Sequence, residues 1–557
     1  MCGIVCGSSS SVVNSQVEQA LNVVASRGPD ATTYFREEQV FLGHTLLSLV
    51  ASSLDLAIQP IWSRDRSVVG CVNGEIYNYK ELRSRLEDLG YVFVTESDSE
   101  VLIHGIHRYG PAFVAMLDGE FAFVTYNFKE KVWFCGVDRF RSKPLKYVLD
   151  PTTESFLVAS TAKALVPLGV NLQIDLGSCL FSFASQCLPS GKTMFEGVYT
   201  IPPGHTLTVD RNFRAYLNSY STPMTRHGTQ NLEELETLLE AAILKRVPKS
   251  GKVAVALSSG VDSSLIAYYL KKNCVDFQSF SVDFLGSSFS ESDDVNAYSI
   301  RHGIPVDFLA ISENILREAF VESTVNAENL SINPHAAGKL LLNRAMVDRG
   351  HKVCLTGDGA DELFFGYPHF HTHDPYQFIA DSRARGNHFK PLLNIDLDTD
   401  CIRREAGPSV DAQELYYRYW LADYGLHTLG DSQSAVVGQE HRYPFLDMAL
   451  HDYVRHRPGF RSHNSPSKQV LRNHVATWDP VTAAIPKRPF TSPVINAGWL
   501  SVLQEYVVEN TRLRDLNFFD WDRLTSLVTQ VFTNTPPNRI VLTQILSLGI
   551  LAKDVCK

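Results

Sequence analysis

The residues best suited to chemistry sit in two short loops. Ser258-Ser259-Gly260-Val261-Asp262-Ser263-Ser264 follows the apolar run 253–257 and precedes a helical pattern over 263–272. Small residues let the backbone approach a phosphate, and the free N–H groups of a helix start favour an anion. The serine hydroxyls add donors, and Asp262 adds an oxygen ligand for Mg²⁺. Taken alone, the same seven residues also suit an ordinary tight turn with a serine cap. A second cluster, Gly357-Asp358-Gly359-Ala360-Asp361-Glu362, follows a strand pattern over 352–356. In an open parallel sheet, ligands bind outside the carboxyl ends of the strands. The two loops are therefore expected to converge, with Asp262 and Asp361 sharing one Mg²⁺ on a triphosphate. Gly191-Lys192-Thr193 does not make a Walker loop, because Gln186 stands where that loop needs its first glycine.

A third candidate is Cys2. Small residues after Met1 permit removal of the methionine, which leaves the thiol beside its own α-amine. That amine, with a reference pKa of about 8, can take the thiol proton, giving a nucleophile with a built-in base. Asn73 and the Gly74 N–H suit an oxyanion hole, and Asp98 suits the ammonium group of an amino acid. His369, His371 and His373 alternate along one segment and are a minor candidate for a metal site.

Several kinds of element must position these residues. Runs at 68–72, 119–126, 132–137 and 156–159 alternate as strands do, so the first part reads as a β-rich α+β domain over 1–213. Residues 214–231 are polar, with Pro223 and Gly228, and read as a linker. Over 232–557, a helix at 232–246 precedes alternating strands (253–257, 278–284, 352–356) and helices, the pattern of a doubly wound α/β domain. The stretch after about 410 reads as helical; there the aromatic run 416–420 suits a packed core, and 539–551 a buried amphipathic helix.

The chain has 557 residues and a net charge of −10, from 51 basic and 61 acidic side chains. That balance argues against nucleic acid as a partner. No apolar run is long enough to span a membrane, and no secretory signal is apparent. Ten cysteines without a C-x-x-C spacing read as reduced thiols, hence a cytoplasmic expectation.

Together these pieces resemble the glutamine-dependent asparagine synthetases of the bacterial B type, over nearly the whole chain. Cys2-Gly3-Ile4, Arg27-Gly28-Pro29-Asp30, Asn73-Gly74-Glu75-Ile76-Tyr77-Asn78 and Pro202-Pro203-Gly204-His205 match the class II glutaminase domain. Residues 258–264, 357–367, Pro444-Phe445-Leu446-Asp447 and Ile485-Pro486-Lys487-Arg488-Pro489-Phe490 match the synthetase. The resemblance implies an α+β N-terminal nucleophile (class II glutaminase) domain followed by an α/β ATP-pyrophosphatase (PP-loop) synthetase domain. It also implies adenylation of a small carboxylic acid by MgATP, then amide formation with release of AMP and pyrophosphate.

By resemblance, Cys2 is the nucleophile and Asn73 and Gly74 form the oxyanion hole, while Asn73, Glu75 and Asp98 bind glutamine. Leu257, Ser258, Gly260, Asp262, Ser263, Val282 and Gly357 bind ATP, Asp262 and Asp361 hold Mg²⁺, and Lys487 and Asp358 take catalytic roles. A homodimer is among the open assemblies.

Four departures define the problem. Leu46 stands where the family has the arginine that grips the glutamine carboxylate, a loss of roughly 2–5 kcal/mol of binding. Between Glu318 and Asn343, where the family has an arginine for aspartate, this chain has no arginine, only Lys339, and Pro334 falls near the expected position, so aspartate is not the expected substrate. Ser259 and Phe365 replace glycines. Val137-Asp138-Arg139-Phe140-Arg141 replaces R-D-x-x-G, at the expected contact between the two halves. The nitrogen donor is therefore left open between glutamine and ammonia. The alternative is a β-lactam synthetase-like closure within one substrate, with a degenerate glutaminase domain. The N-terminal Cys2 and Asp358, which those enzymes replace, count against it.

Overall fold

Short strands rich in β-branched and aromatic residues build the first half, because such side chains pack well on a pleated surface. The computed structural model describes the chain apart from residues 50–57, 221–230, 250–251, 288–289, 368–369, 371–383, 385, 407–411, 456–466, 487–491, 494, 531–538 and 557. In chain order the first strands are β1 (Gly3–Ser8), β2 (Ala31–Glu37), β3 (Val40–Leu46), β4 (Ile61–Trp62), β5 (Val68–Ile76) and β6 (Gly119–Asn127). There follow β7 (Val132–Val137), β8 (Lys146–Asp150), β9 (Ser155–Ala159), β10 (Tyr199–Thr200), β11 (His205–Val209) and β12 (Ala215–Ser219). They form two antiparallel sheets, ordered β10-β8-β9-β1-β3-β2 and β12-β11-β7-β6-β5-β4.

Alternation along the strands gives each sheet two apolar faces. Ile4, Cys6 and Leu42 of one sheet meet Val69, Cys71 and Val124 of the other. On the outer faces, Val5 and Phe41 pack with helix Asn14–Val23, and Val72 and Phe123 pack with helix Asp98–Tyr109. The result is a helix–sheet–sheet–helix sandwich. Strand β12 lies inside the stretch expected to be linker and pairs with β11 from His205 to Val209. Its five residues are exposed, so no apolar alternation marked it.

The second half is built on β13 (Val253–Ala256), β14 (Phe277–Phe284), β15 (Val306–Ile311), β16 (Val353–Leu355) and β17 (Glu440–Arg442). All pair in parallel, in the order β15-β14-β13-β16-β17. The two edge strands escape sequence reading for opposite reasons. β15 is only partly buried, with Asp307 interrupting its apolar residues, whereas β17 is fully buried but made of Glu, His and Arg. The expected helix near 410 is also different in kind: Tyr416–Asp431 is a π-helix of 16 residues. Helix Arg539–Ile550 is buried on every side from Val541 onward. Among the described residues, no helix is long and apolar enough to cross a membrane.

Buried ion pairs join the halves. Arg27 donates to both oxygens of Asp431, at 2.8 and 3.0 Å. Arg141, one of the four departures, pairs with Asp423, and Arg246 donates to Glu120 at 2.8 Å. Removing one member of such a pair leaves a buried charge unpaired, at a cost of about 3–5 kcal/mol. Arg27→Ala is therefore expected to lower stability by that amount in urea unfolding, and Arg27→Ala/Asp431→Asn to recover part of the loss.

Candidate active sites

The loop after β13 ends at Gly260, whose extended backbone caps helix Val261–Lys272. Ser258 N–H donates to Ser263 Oγ at 2.9 Å, and Ser264 Oγ–H donates to the Gly260 carbonyl at 2.9 Å. Ser259, in place of a glycine, donates from its N–H and its hydroxyl to Glu291, at 2.9 and 2.7 Å. The loop after β16 comes alongside because two glycines make room. A Cβ on Gly357 would lie 2.9 Å from Asp262 Cβ, and one on Gly366 would lie 1.9 Å from Asp361 Oδ1.

Asp262 and Asp361 then meet the same group, the ammonium of Lys468, which lies 2.7 Å from Asp361. Burial works against this charge, but the two carboxylates outweigh it and push the lysine pKa up. No motif had singled out Lys468; the only hint was a lysine one turn before Arg472 at the start of a helical pattern. Two carboxylates that share one cation across two strand ends are a donor set suited to Mg²⁺, which takes oxygen ligands.

A cavity of about 830 Å³ opens here. Leu257, Ser258, Gly260, Asp262, Ser263, Val282, Gly357, Asp358 and Asp361, singled out above, all line it. Lys487 lies outside the described residues, as do His369, His371 and His373. On the far wall, helix His335–Asp348 turns His335 and Lys339 inward, four residues apart on one face. Lys339 is not waiting for a substrate carboxylate. It donates to both oxygens of Asp358, at 3.2 and 3.0 Å, and holds that carboxyl below its usual range against the opposing effect of burial. Below it, burial drives His441 down to about 3, so the ring is neutral where its Nε2 meets Asn343 Oδ1 at 3.0 Å. Phe365 adopts a left-handed backbone, φ 57°, and packs edge-on against Phe370. That conformation explains why a glycine suits the position.

The second site surrounds Cys2. Its N–H donates to Asn73 Oδ1 at 2.8 Å. Asn73 Nδ2 is buried with no hydrogen-bond partner among the described residues, a donor left over for an oxyanion. Gly74 has φ 126°, and a Cβ there would lie 1.9 Å from the Glu120 carbonyl oxygen, so only glycine fits. Asp98 starts its helix and accepts from Ile76 N–H at 2.8 Å. Burial raises the Cys2 thiol pKa against the pull of the nearby terminal amine. Met1 precedes it, with an amine buried 3.6 Å from Glu440.

Leu46 is buried, and neither arginine beside this site is uncommitted. Arg27 holds Asp431 and donates to the Cys2 carbonyl at 3.2 Å. Arg442, reaching over from β17, donates to Glu75 at 2.6 Å and to Glu440 at 2.7 Å. One guanidinium faces two carboxylates. Glu440 keeps its charge, held at about 2 by Arg442 and the terminal amine despite burial. Burial lifts Glu75 to about 8 against the pull of Arg442.

Comparisons with known proteins match each half of the chain to a family. The glutamine amidotransferase domain model matches residues 1–221 and the asparagine synthase model matches residues 234–549. A glutamine-hydrolysing asparagine synthetase of Bacillus subtilis is 29% identical over 63% of this chain, and the match spans only 55% of that protein. Amidase chyE of Penicillium rubens is 25% identical over 96% of this chain and 94% of its own length. Amidase chry2 of Gibberella zeae is 29% identical over 70% of this chain and 59% of its own.

Two outcomes follow from this geometry. Intact-mass analysis of the purified protein is expected to show Met1 removed, leaving the Cys2 amine where Asn73 Oδ1 already accepts a hydrogen bond. The second concerns buried His44, which burial lowers to about 4. The unfolded imidazole takes a proton near pH 6.5 and the folded one only near 4. Its contribution to stability is therefore complete above pH 6.5 and drains away as the pH falls toward 4. Urea unfolding at pH 7 and pH 5 should show about 2 kcal/mol less pH-dependent loss in His44→Gln than in the parent.

Proposed function

This chain belongs to the asparagine synthase family, and from that premise we propose that it is an ATP-dependent ligase that adenylates a small carboxylic acid and passes it to an amine. The observation that carries this reading is the convergence of Asp262 and Asp361 on one cation beside the N-terminus of helix Val261–Lys272. Bound there, Mg²⁺ would neutralise charge on the α- and β-phosphates. The Ser258 and Ser263 hydroxyls and the Gly260 N–H would orient the triphosphate. Lys468, freed from the aspartates, would follow the departing pyrophosphate. Lys487 would stabilise charge on the phosphate and carbonyl oxygens as nitrogen attacks. Asp358, held by Lys339, would fix the acid's approach.

Free ammonia is the better-supported nitrogen source. Leu46 offers no hydrogen bond to a glutamine carboxylate, and both arginines near Cys2 are spent on buried carboxylates, Arg27 on Asp431 and Arg442 on Glu440. Glutamine hydrolysis at Cys2 is retained as a weak activity, since the Asn73 and Gly74 geometry suits an oxyanion. A lactam-forming reaction has no observation of its own in its favour.

ATP–pyrophosphate exchange with a panel of acids tests the ligase reading. Exchange is expected with at least one acid and lost more than 100-fold in Asp361→Asn; no exchange with any acid sinks the reading. Amide formation is then compared with ammonium chloride and with glutamine. Ammonium should support the faster turnover, with Cys2→Ala removing only the glutamine-driven part.

A further inference from the structure

One wall of the cavity is the π-helix Tyr416–Asp431. Such helices are rare beyond a single turn and concentrate at functional sites. Their i→i+5 hydrogen bonds make each turn roughly 4.4 residues long, so Trp420, Gly425 and Leu429 fall on one face. All three line the cavity, and all three are half-buried. Trp420 stacks on Tyr424, with ring centroids 4.9 Å apart at 30°. At Gly425 the Leu421 side chain closes in, since a Cβ there would lie 3.1 Å from Leu421 Cδ1. Half-buried Ile332 also lines the cavity.

Among the described residues, both lysines that line the cavity are already paired with carboxylates. Lys339 is held by Asp358, and Lys468 by Asp262 and Asp361. Arg472 donates to the carbonyls of Ser467, Ala483 and Ile485. A second charge on the acid would have to compete with Asp358 for Lys339 or with the pyrophosphate for Lys468, or enter a low-dielectric wall unpaired, which is costly. An apolar ring meets no such penalty and gains stacking on the tryptophan.

Resting on the ligase reading above, we propose that the π-helical wall is the subsite for the uncharged body of an aryl monocarboxylic acid, with Trp420 as its stacking platform. Trp420 thus sets specificity, while activation stays with the loops that hold the nucleotide.

The test combines saturation-transfer NMR for binding with ATP–pyrophosphate exchange, using benzoate, phenylacetate, acetate and aspartate on the full chain. Benzoate or phenylacetate should bind and support exchange. Trp420→Ala should raise their KM at least tenfold, while Trp420→Phe stays within threefold. ATP affinity, measured separately, reports whether the alanine variant is folded and should move less than twofold. Binding of an aryl acid without exchange, weakened by Trp420→Ala, upholds the subsite and overturns the ligase reading. Exchange with aspartate but with neither aryl acid overturns the subsite and leaves the ligase reading standing. So does an aryl KM that Trp420→Ala does not change. Absence of both binding and exchange with all four acids overturns both.

Discussion

Strand β17 is the constraint on which the rest of the molecule depends. It is three residues long, it closes the edge of the parallel sheet, and each residue is charged or titratable. Because side chains alternate across a strand, Glu440 and Arg442 face one way and His441 the other. The first two reach Glu75 and the terminal amine beside Cys2. His441 reaches Asn343 under the cavity that holds Asp358. A single strand therefore separates the two candidate sites and touches both. Its burial is tolerable only because the neighbouring half supplies the compensating charges, so neither half can be understood without the other.

The same logic explains the interface around β17. Buried arginines at 27, 141, 246 and 442 each have a carboxylate partner. Such pairs do not stabilise much relative to apolar contacts, but they penalise any wrong docking, because each partner left behind is a buried charge. Two departures from the family pattern belong here. Arg141 and Phe365 stand where the family has glycine, and both adopt left-handed backbone, φ 56° and 57°. That conformation costs an ordinary side chain about 1–2 kcal/mol. Arg141 offsets it with the Asp423 pair, and Phe365 with ring packing on Phe370.

Both sites show how one substitution changes meaning with its surroundings. Lys339 is the one cation in the stretch where the family has its substrate arginine, and it is neutralised by Asp358. Leu46 reads as a lost grip on glutamine, and the arginines that could have compensated are tied to Asp431, Glu75 and Glu440. In each case the decisive fact is the partner.

The sequence by itself determined the fold class of both halves and singled out the two loops that the structure brings together. Residues 258–264 and 357–362 stand out because small residues and carboxylates at strand ends are a pattern written in consecutive positions. Strands such as β5, β6, β7 and β9 were legible because alternation is also local. Only the tertiary structure decided the roles of Lys468, Arg442 and Trp420. Lys468 lies about 200 positions from Asp262 and Arg442 over 360 from Glu75, and no spacing rule spans such distances. Strand β17 was hidden because its polar residues are buried by pairing, β12 because exposure left it no apolar stripe, and β15 because its apolar residues do not alternate with polar ones. The π-helical register that turns Trp420, Gly425 and Leu429 to one wall has no counterpart in the 3.6-residue period by which helices are read.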